Sequence, residues 1–431
     1  MTAAEVEALR LAPDPAVPGR DLLLDREEMT RRLSRLLSAN GRPARIDRCA
    51  RGRVKYRVGH SLRVVYELRV DGAPRLVASR TFAAELCERV YARALETARP
   101  VDALRPVAED PELGAVFWTF PNDRKLTTLP ALAPATDTVS RLLGRPVAGT
   151  VLAAYAPEHS ATAACRDAAG RPVAYAKVFA DNEDLEAARR AHAAVYELLG
   201  PAQAALRVPA VLAFSAPDRM LIVEALDGRR FDTLFGPERL EATRRLGAAL
   251  GTLHSLPPPA GLRPFVRLAP ERQPRAAELI ARARPDVAAA AESLAEELRA
   301  DPPPPVAPVC LHGDVHLKNA LLQGRRIALI DLDQVGLGPP AADLGSALAG
   351  LRYHALLADD GARGARLRQA LLDGYASQRE PPDASALRWH VAAALLSERA
   401  LRAVSRIRPD VLVRLGAVLS EARAVLRGEG R

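Results

Sequence analysis

The sequence predicts an α+β protein in which two similar units of mixed strands and helices precede a lobe made mostly of helices. Short segments recur in the same order in the first half of the chain. From about Asp232 onward the apolar spacing becomes helical and strand patterns are few. Between Cys310 and Gly345, two apolar β-type runs enclose a block of polar residues. This block carries the chemistry that the sequence predicts.

The composition indicates a globular protein and decides little about function. The chain has 431 residues, of which 48% are hydrophobic and 26% charged, which excludes a disordered or collagen-like chain. Its 61 basic and 52 acidic side chains leave a formal charge of +9. That excess alone does not separate a nucleic-acid binder from an enzyme. Basic and aromatic residues are not interleaved, so we predict no nucleic-acid partner.

The sequence carries no pattern typical of export or of a membrane span. Its first residues lack a basic segment followed by an apolar one, and no run of 18 or more uncharged apolar residues occurs. The four cysteines lie far apart and form no C-x-x-C pair, so neither a disulfide framework nor a zinc site is predicted. We therefore expect a cytoplasmic protein with no membrane partner. The sequence makes no prediction of the oligomeric state.

The first half of the chain contains an internal repeat. The paired segments are SRLL at 34–37 and 140–143, YRVGHS at 56–61 and YAPEHS at 155–160, and LVASRTFA at 76–83 and VAYAKVFA at 173–180. Each unit is predicted to contain a helix, a strand, a turn, a second strand, a second helix and a closing apolar strand. The pairing places Arg80 of the first unit at the position of Lys177 in the second.

The polar block has the spacing of a kinase catalytic loop. Asp314 lies five residues before Asn319, as in H-R-D-x-x-x-x-N, with Gly313 in place of the arginine. After the apolar run RIALI comes Asp331, where kinases carry a metal-binding aspartate. Carboxylate and amide oxygens are ligands that magnesium prefers. The spacing therefore predicts phosphoryl transfer.

This stretch resembles the aminoglycoside phosphotransferase and choline kinase-like family. The matching residues are HGD-x-H-x-x-N at 312–319, Ile330 with Asp331, and Asp343 with Leu344. The resemblance runs from about Leu142 nearly to the end of the chain and leaves the first unit outside. It implies a bilobal protein-kinase-like fold, with a mixed β-sheet N-lobe and a helical C-lobe. It also implies transfer of the terminal phosphate of ATP, with Mg²⁺, to a hydroxyl of a small molecule.

The resemblance gives the residues of the block separate roles. Asp314 is predicted to accept or orient the proton of the acceptor hydroxyl, and His312 to hold the loop by hydrogen bonds. Asn319 and Asp331 are predicted to bind magnesium through one neutral and one anionic oxygen. Asp333 is either a second metal ligand or a polar partner of the loop.

The residues after the metal strand bear on the acceptor. Only VGLGPPAA separates Asp333 and Gln334 from Asp343, which leaves little room for the peptide platform of a protein kinase. Asp343 is expected at a helix N-terminus or as a loop anchor. Where relatives often have G-D-P, this chain has GPP at 338–340. A small hydroxylated acceptor is therefore predicted.

The second unit supplies the predicted nucleotide site. Lys177 lies in the short apolar run AYAKVF and is expected to contact the α and β phosphates. Glu186, on the following helix, is the candidate partner of this lysine, with Glu183 and Glu197 as competitors. Ser160 is a candidate hydroxyl donor to phosphate.

The closing strand of the second unit is the expected adenine site. Its backbone, at 220–225 and including Glu224, can offer the donor and acceptor that an adenine edge requires. The phosphate-covering turn APEHSATAA contains no glycine, unlike the Gly-rich loop of protein kinases. This difference disfavours a protein kinase.

Basic residues of the C-terminal helices bear on the kind of acceptor. The arginines concerned are Arg399, Arg402, Arg406, Arg408 and Arg414. They form either a solvated helix face or a contact with a phosphate or carboxylate of the acceptor. A polycationic aminoglycoside would need acidic surroundings instead. A sugar or other polyol is favoured over an aminoglycoside or amino alcohol.

Three domains are predicted on this basis. Residues 1–130 form an N-terminal cap, residues 131–228 the kinase-like N-lobe, and residues 229–431 the helical C-lobe with the catalytic loop and substrate site. The cap is interpreted as a degenerate copy of the N-lobe, because it lacks a catalytic block and has Arg80 at the lysine position.

Two alternatives to the kinase interpretation remain open in the sequence. His312, Asp314 and His316 form H-x-D-x-H, which could hold a transition metal in a metallohydrolase. The chain could also be a nucleotide-binding pseudokinase. The presence together of Lys177, Asp314, Asn319 and Asp331 argues against an idle protein.

Overall fold

The computed structural model describes residues 11–39, 43–133, 137–200 and 205–429. Two five-stranded antiparallel sheets come first and a helical lobe follows. The fold is α+β, as the sequence predicts. The sheets lie within the first and second predicted units, and the catalytic block lies within the helical lobe.

The first unit begins with two helices and continues into a sheet. Asp25 caps the second helix by accepting a hydrogen bond from the backbone N–H of Glu28 at 2.7 Å, and that helix buries Met29 and Leu33. The elements are α1 (Arg20–Leu24), α2 (Arg26–Leu36), β1 (Ile46–Arg57), β2 (Ser61–Val70), β3 (Ala73–Thr81), α3 (Ala84–Thr97), β4 (Val107–Asp110) and β5 (Ala115–Thr119). The strand order is β1-β2-β3-β5-β4.

The second unit repeats this arrangement. Its elements are α4 (Asp137–Leu143), β6 (Gly149–Ala156), β7 (Ser160–Arg166), β8 (Pro172–Phe179), α5 (Asn182–Leu199), β9 (Leu206–Arg207), β10 (Val211–Ser215) and β11 (Met220–Glu224). The strand order is β6-β7-β8-β11-β10, so both sheets place the third and fifth strands side by side and insert a helix after the third. Short β9 pairs with the helical lobe instead.

The strand register gives Arg80 and Lys177 equivalent positions. Arg80 on β3 pairs with Arg63, the third residue of β2. Lys177 on β8 pairs with Thr162, the third residue of β7. The same cation position therefore lies on the central strand of each sheet.

The two sheets share a small apolar core and a buried ion cluster. Glu158, in the turn between β6 and β7, has a left-handed backbone with φ of 62° and a side chain that is 5% exposed. Its carboxylate accepts hydrogen bonds from Arg80 and Arg124 and lies 3.5 Å from Nη1 of Arg63. Burial alone would raise the pKa of Glu158, but the arginines hold it below its usual value. The β6–β7 turn is thereby fixed to the first unit.

The helical lobe follows from β12 onward. Its elements are β12 (Arg229–Arg230), α6 (Gly236–Ser255), α7 (Gln273–Ala283), α8 (Ala288–Ala300), β13 (Val309–Leu311), β14 (Ala320–Gln323), β15 (Arg326–Leu329), β16 (Gly336–Gly338), α9 (Pro340–Ala358), α10 (Gly361–Ala376), α11 (Ala384–Ala394), a π-helical segment (Leu395–Ala400), α12 (Leu401–Arg406), α13 (Pro409–Leu412) and α14 (Leu415–Arg427).

The first unit also packs on the helical lobe. The backbone N–H of Ala12 donates to the carbonyl of Ala283 at 2.8 Å, and β1 contacts α12. Tyr56 and Leu62 of the first unit belong to the same continuous apolar core as Ile280 of α7. The first unit is therefore joined to both other parts of the chain.

None of the helices in the described ranges is long and apolar enough to cross a lipid bilayer.

The Glu158 cluster yields a stability prediction. Glu158→Gln should lower the free energy of unfolding by about 3 kcal/mol, because it leaves buried guanidinium groups without their counter-charge. Denaturant unfolding at neutral pH measures this loss. The matched control is Glu238→Gln, since Glu238 and its partner Arg229 are both exposed, and this change should cost less than about 1 kcal/mol. Equal losses in the two variants would contradict the prediction.

Candidate active site

Two short strand ladders hold the loop at 312–319. β13 enters it and pairs with β16, whereas β14 leaves it and pairs with β15. Within the loop the backbone N–H of Asn319 donates to the carbonyl of His316 at 2.9 Å. The N–H of Ile330 then donates to the carbonyl of Asn319 at 2.9 Å. The loop and the residue before Asp331 are thus fixed to each other.

Asp343 anchors the start of the loop. It lies in the first turn of α9, is fully buried, and accepts hydrogen bonds from the backbone N–H groups of His312 at 2.7 Å and Gly313 at 2.9 Å. His254 also contacts its carboxylate, at 3.3 Å. Burial opposes ionisation of Asp343, but the bonds from His254 and the backbone hold its pKa below the usual value. Asp343 therefore lies in the first turn of a helix and also anchors the loop.

The chain path after His312 requires a glycine. Gly313 has φ of 76°, and a Cβ atom on it would lie 1.9 Å from the carbonyl oxygen of Gln334. The His312 ring uses both nitrogens to fix this path. Its Nε2 contacts the carbonyl of Ile330 at 3.1 Å, and its Nδ1 accepts from the N–H of Asp314 at 3.3 Å. His312 therefore lies where the loop-holding role requires it.

Asp314 lies between two arginines. Its Oδ1 atom is 2.9 Å from Nη1 of Arg267 and 3.4 Å from Nη2 of Arg402. Its Oδ2 atom is 3.6 Å from Nε2 of His316. Burial would raise the pKa of Asp314, but the charges of Arg267 and Arg402 hold it well below its usual range. The carboxylate is therefore ionised at neutral pH.

Asn319 and Asp331 present free oxygens on adjoining segments. The side-chain NH₂ of Asn319 donates to the backbone carbonyl of Asp314 at 3.1 Å and to its carboxylate at 3.4 Å, which leaves the amide oxygen available. Asp331 has a left-handed backbone with φ of 63° and a side chain that is 49% exposed. One neutral and one anionic oxygen suit a hard divalent cation. The two residues fit the magnesium site that the sequence predicts.

Lys177 connects the second sheet to these carboxylates. Its Nζ atom lies 3.4 Å from Oδ1 of Asp331 and also forms an ion pair with Asp333. Burial lowers the pKa of Lys177, but the two carboxylates more than offset this and raise it. The ammonium group is therefore charged and faces the loop after β15. Asp333 is the second carboxylate partner of Lys177, and the choice between its two predicted roles stays open.

The sequence itself matches a known family over this region. Residues 160–390, more than half of the chain, match the sequence profile of the phosphotransferase enzyme family. The chain belongs to this family. The matched part contains the second sheet from β7 onward and the catalytic block, and it leaves the first sheet outside. The predicted family, the kinase-like fold and the enzyme class are confirmed. No curated protein matches the sequence.

Solved phosphotransferase structures are similar to this chain at low sequence identity. Aminoglycoside phosphotransferase APH(4)-Ia is 18% identical, with a TM-score of 0.48 over 68% of this chain and 97% of that one. Macrolide 2′-phosphotransferase MphH from Brachybacterium faecium is also 18% identical, with a TM-score of 0.45 over 67% and 96%. APH(2″)-IIa, solved with streptomycin and ATP, is 14% identical, with a TM-score of 0.45 over 67% and 96%.

Glu186 does not partner Lys177 in this phosphotransferase, so that prediction is wrong. Its carboxylate pairs with Arg189, one turn further along α5. The buried face of α5 is marked by Leu185, Ala188 and His192, and Glu186 is not part of it. The competitor Glu183 is also engaged elsewhere, with Arg263 at 3.0 Å.

His192 is a buried residue of α5, and the charges of Lys177 and Asp333 act on its ring. It is 4% exposed, and burial lowers its pKa to about 4. The charges of Asp333 and Lys177 act on the ring with opposite sign. The sequence analysis missed this histidine, and only its place one turn from Ala188 on the apolar face of α5 marks it.

The remaining nucleotide-site predictions have different outcomes. Ser160 begins β7, two residues before the partner of Lys177, and its role stays a prediction. The backbone N–H of Glu224 donates to Ala210 at 2.9 Å, and its carboxylate pairs with Arg207. The N–H and the carboxylate of Glu224 are therefore engaged, and its part in adenine binding through the strand backbone stays a prediction. The residues after it, Ala225 and Leu226, lie beyond the strand ladder.

The metal set of a hydrolase does not form. Both ring nitrogens of His312 are occupied by the backbone, and Nδ1 of His316 accepts from the N–H of Lys318 at 3.2 Å. Within the described ranges, no three His, Cys, Asp or Glu side chains converge as a metal site. The family match independently favours phosphoryl transfer.

The sequence analysis also missed the residues that set the charge of Asp314. Arg267 lies in the connection before α7, contacts Glu398 at 3.2 Å as well, and belongs to no recognisable motif. Glu398 is itself buried and accepts from the Ser346 hydroxyl at 2.7 Å. This connection comes next to the loop only through tertiary packing, which sequence spacing does not report.

Replacing the loop anchor tests its importance. Asp343→Asn should lower the free energy of unfolding by about 3 kcal/mol, because the fully buried site loses the charge that its donors solvate. Amide hydrogen exchange of His312 and Gly313 should accelerate in parallel. Asp373→Asn is the matched control, since Asp373 is surface-exposed and 3.3 Å from Arg244. Unchanged exchange at both amides would contradict the anchor role.

Proposed function

We propose that this phosphotransferase moves the terminal phosphate of ATP to a hydroxyl of a small molecule, with magnesium as cofactor. The observation that carries the proposal is one continuous set of contacts. Lys177 meets Asp331 at 3.4 Å, the residue before Asp331 bonds the backbone of Asn319, and Asn319 meets Asp314 at 3.4 Å. A cation of the N-lobe, two oxygen ligands and a carboxylate thus lie next to one another.

Asp314 acts on the acceptor in this proposal. Its carboxylate orients the acceptor O–H and takes the proton as the acceptor oxygen forms its bond to the γ-phosphorus. The bond from that phosphorus to the β–γ bridging oxygen breaks, and ADP leaves with the electron pair. Because arginines keep Asp314 weakly basic, it contributes mainly by positioning the hydroxyl, with proton transfer late.

Asn319 and Asp331 hold magnesium, and Lys177 holds the nucleotide phosphates. The metal, when bound, neutralises charge on the triphosphate. Lys177 already faces this region as a charged ammonium group. Ser160 lies at the start of the adjacent strand and donates its hydroxyl to phosphate. The backbone at 220–225, including the carbonyl of Glu224, takes the adenine edge.

A small acceptor fits the short connection after Asp331. One 3₁₀ turn at Leu332–Gln334 and the three-residue β16 lead directly into α9. β16 is held between β13 and the backbone of Arg263, whose carbonyl accepts from Leu337 at 2.9 Å. No extended peptide platform is available within this described connection.

We further propose three domains with the boundaries 1–130, 131–228 and 229–431, the first a degenerate N-lobe acting as a cap. The identical strand order of the two sheets and the equivalence of Arg80 and Lys177 support this division. We also propose a cytoplasmic location, because the four cysteines are all free thiols and buried.

Turnover of the Asp314 variant tests the function. Radiolabelled ATP with magnesium should label an acceptor among pools of sugars, polyols, aminoglycosides and amino alcohols. Asp314→Asn should lower this transfer by about 10² to 10⁴ fold with ATP affinity nearly unchanged. Asp331→Asn should instead weaken magnesium–nucleotide binding, and Asp410→Asn, on a surface pair with Arg408, should change neither. Nucleotide binding without any phosphate transfer would identify a pseudokinase.

Arg267 gives a prediction on pH. Because the pKa of Asp314 is held low, its carboxylate stays ionised over the assay range, from about pH 5 to about pH 8. Arg267→Gln removes the largest lowering cause, so the pKa of Asp314 rises and the acidic limb of the kcat/KM profile moves to higher pH. Turnover at high pH should fall about tenfold because orientation is lost. Arg263→Gln, in the same connection but paired with Glu183, should leave the profile unchanged. An unmoved acidic limb in Arg267→Gln would contradict this role.

A further inference from the structure

Basic side chains of β1 and of α12 gather beside the catalytic loop. Arg53 and Lys55 alternate with buried Val54 and Tyr56 on β1, so both project from the opposite face of the first sheet, where Lys55 lies in register with Arg63. Arg402 and Arg406 lie one helical turn apart on α12, and α12 packs on β1. These four residues are called the basic group below.

Arg402 of the basic group pairs with Asp314 at 3.4 Å, but the charges of the other three members are not compensated by the described residues. Within the described residues, Arg53, Lys55 and Arg406 make no side-chain hydrogen bond or ion pair. Loss of water and the nearby positive charges, chiefly Arg406, lower the pKa of Lys55 to about 8. Burial and the charges of Arg402 and Arg53 lower the pKa of Arg406 to about 10. Like charges gathered in this way cost stability.

Two neighbouring sets of basic residues are neutralised. In the same cross-strand row as Lys55, Arg63 and Arg80 meet the carboxylate of Glu158. Just beyond α12, Arg408 pairs with Asp410. The basic group departs from this pattern, so an anion from outside the protein is the missing partner.

The α12 half of the basic group lies beside Asp314, whereas the carboxylate whose charge acts on Arg53 of β1 is Asp331. Arg402 is 3.4 Å from Asp314, and the charge of Asp314 also acts on Arg406. The nucleotide sheet contributes none of the four residues, because its cation, Lys177, faces Asp331 and Asp333. The acceptor hydroxyl must approach Asp314, so a second group on the same molecule lies within reach of these cations.

We infer that the acceptor is an anion: a small hydroxylated molecule whose phosphate or carboxylate group is bound by Arg53, Lys55, Arg402 and Arg406. This inference rests on the proposed function. It gives the first unit a direct part in acceptor recognition, because two of the four cations come from β1. It also disfavours polycationic acceptors such as aminoglycosides, which these charges repel.

The first experiment measures anion binding with the nucleotide site filled. The full chain is saturated with magnesium and adenylyl-imidodiphosphate, then titrated with inorganic phosphate by calorimetry. Lys55→Gln and Arg406→Gln should each weaken phosphate binding about tenfold, with the affinity for the nucleotide analogue unchanged. Arg48→Gln, an exposed arginine near the other end of β1, is the matched control. Equal phosphate binding in all four proteins would overturn the inference.

The second experiment sorts acceptors by charge. Pools of phosphorylated sugars, sugar acids, neutral sugars and cationic amino sugars are supplied with radiolabelled ATP. Transfer should concentrate in one anionic pool, fall as salt screens the charges, and drop about tenfold in Lys55→Gln. The two anionic pools separate phosphate from carboxylate recognition. Transfer confined to neutral or cationic pools would overturn the inference while the proposed function stands. Absence of nucleotide binding and of transfer to every pool would instead remove the proposed function, and this inference with it.

Discussion

The catalytic loop depends on one buried carboxylate. Asp343 accepts two successive backbone N–H groups where the loop leaves β13, and the buried His254 supports it from behind. Because Gly313 allows the chain to pass against the carbonyl of Gln334, the loop and the connection after Asp331 lie in direct contact. The position of Asp314 relative to Asp331 follows from these contacts and not from any bond between the two side chains.

Charge is arranged in two separate layers around this loop. On the N-lobe side, Lys177 is matched by Asp331 and Asp333, so an ammonium group is held charged in a largely buried place. On the helical side, Arg267 is shared between Asp314 and Glu398. In the first layer one cation meets two carboxylates, so the cation has partners. The second layer continues into Arg406 of α12 and into Arg53 and Lys55 of β1, which form no ion pair within the described residues.

Features encoded in contiguous residues could be predicted from the sequence, whereas contacts between distant segments could not. The H-G-D block, the strand before Asp331 and the ordered repeats are encoded in contiguous residues, and they predicted the fold class, the family and the internal repetition. Arg267 lies in a connection without a motif and meets Asp314 only through packing between distant segments, which single-sequence patterns do not contain. Glu186 was misassigned for another reason: its partner Arg189 is local, and Glu186 lies off the buried face of α5.

The equivalent positions of Arg80 and Lys177 have different partners in the two sheets. Both carry a cation on the central strand, paired with the third residue of the preceding strand. In the second sheet the cation is a compact lysine facing two aspartates, which a nucleotide phosphate can replace as partners. In the first it is Arg80, whose planar group shares the buried Glu158 with Arg124. Glu158 belongs to the β6–β7 turn of the second unit, so the first sheet uses its cation to hold the turn above Lys177. In the first sheet this cation position therefore has a structural role, because it fixes a turn of the neighbouring sheet.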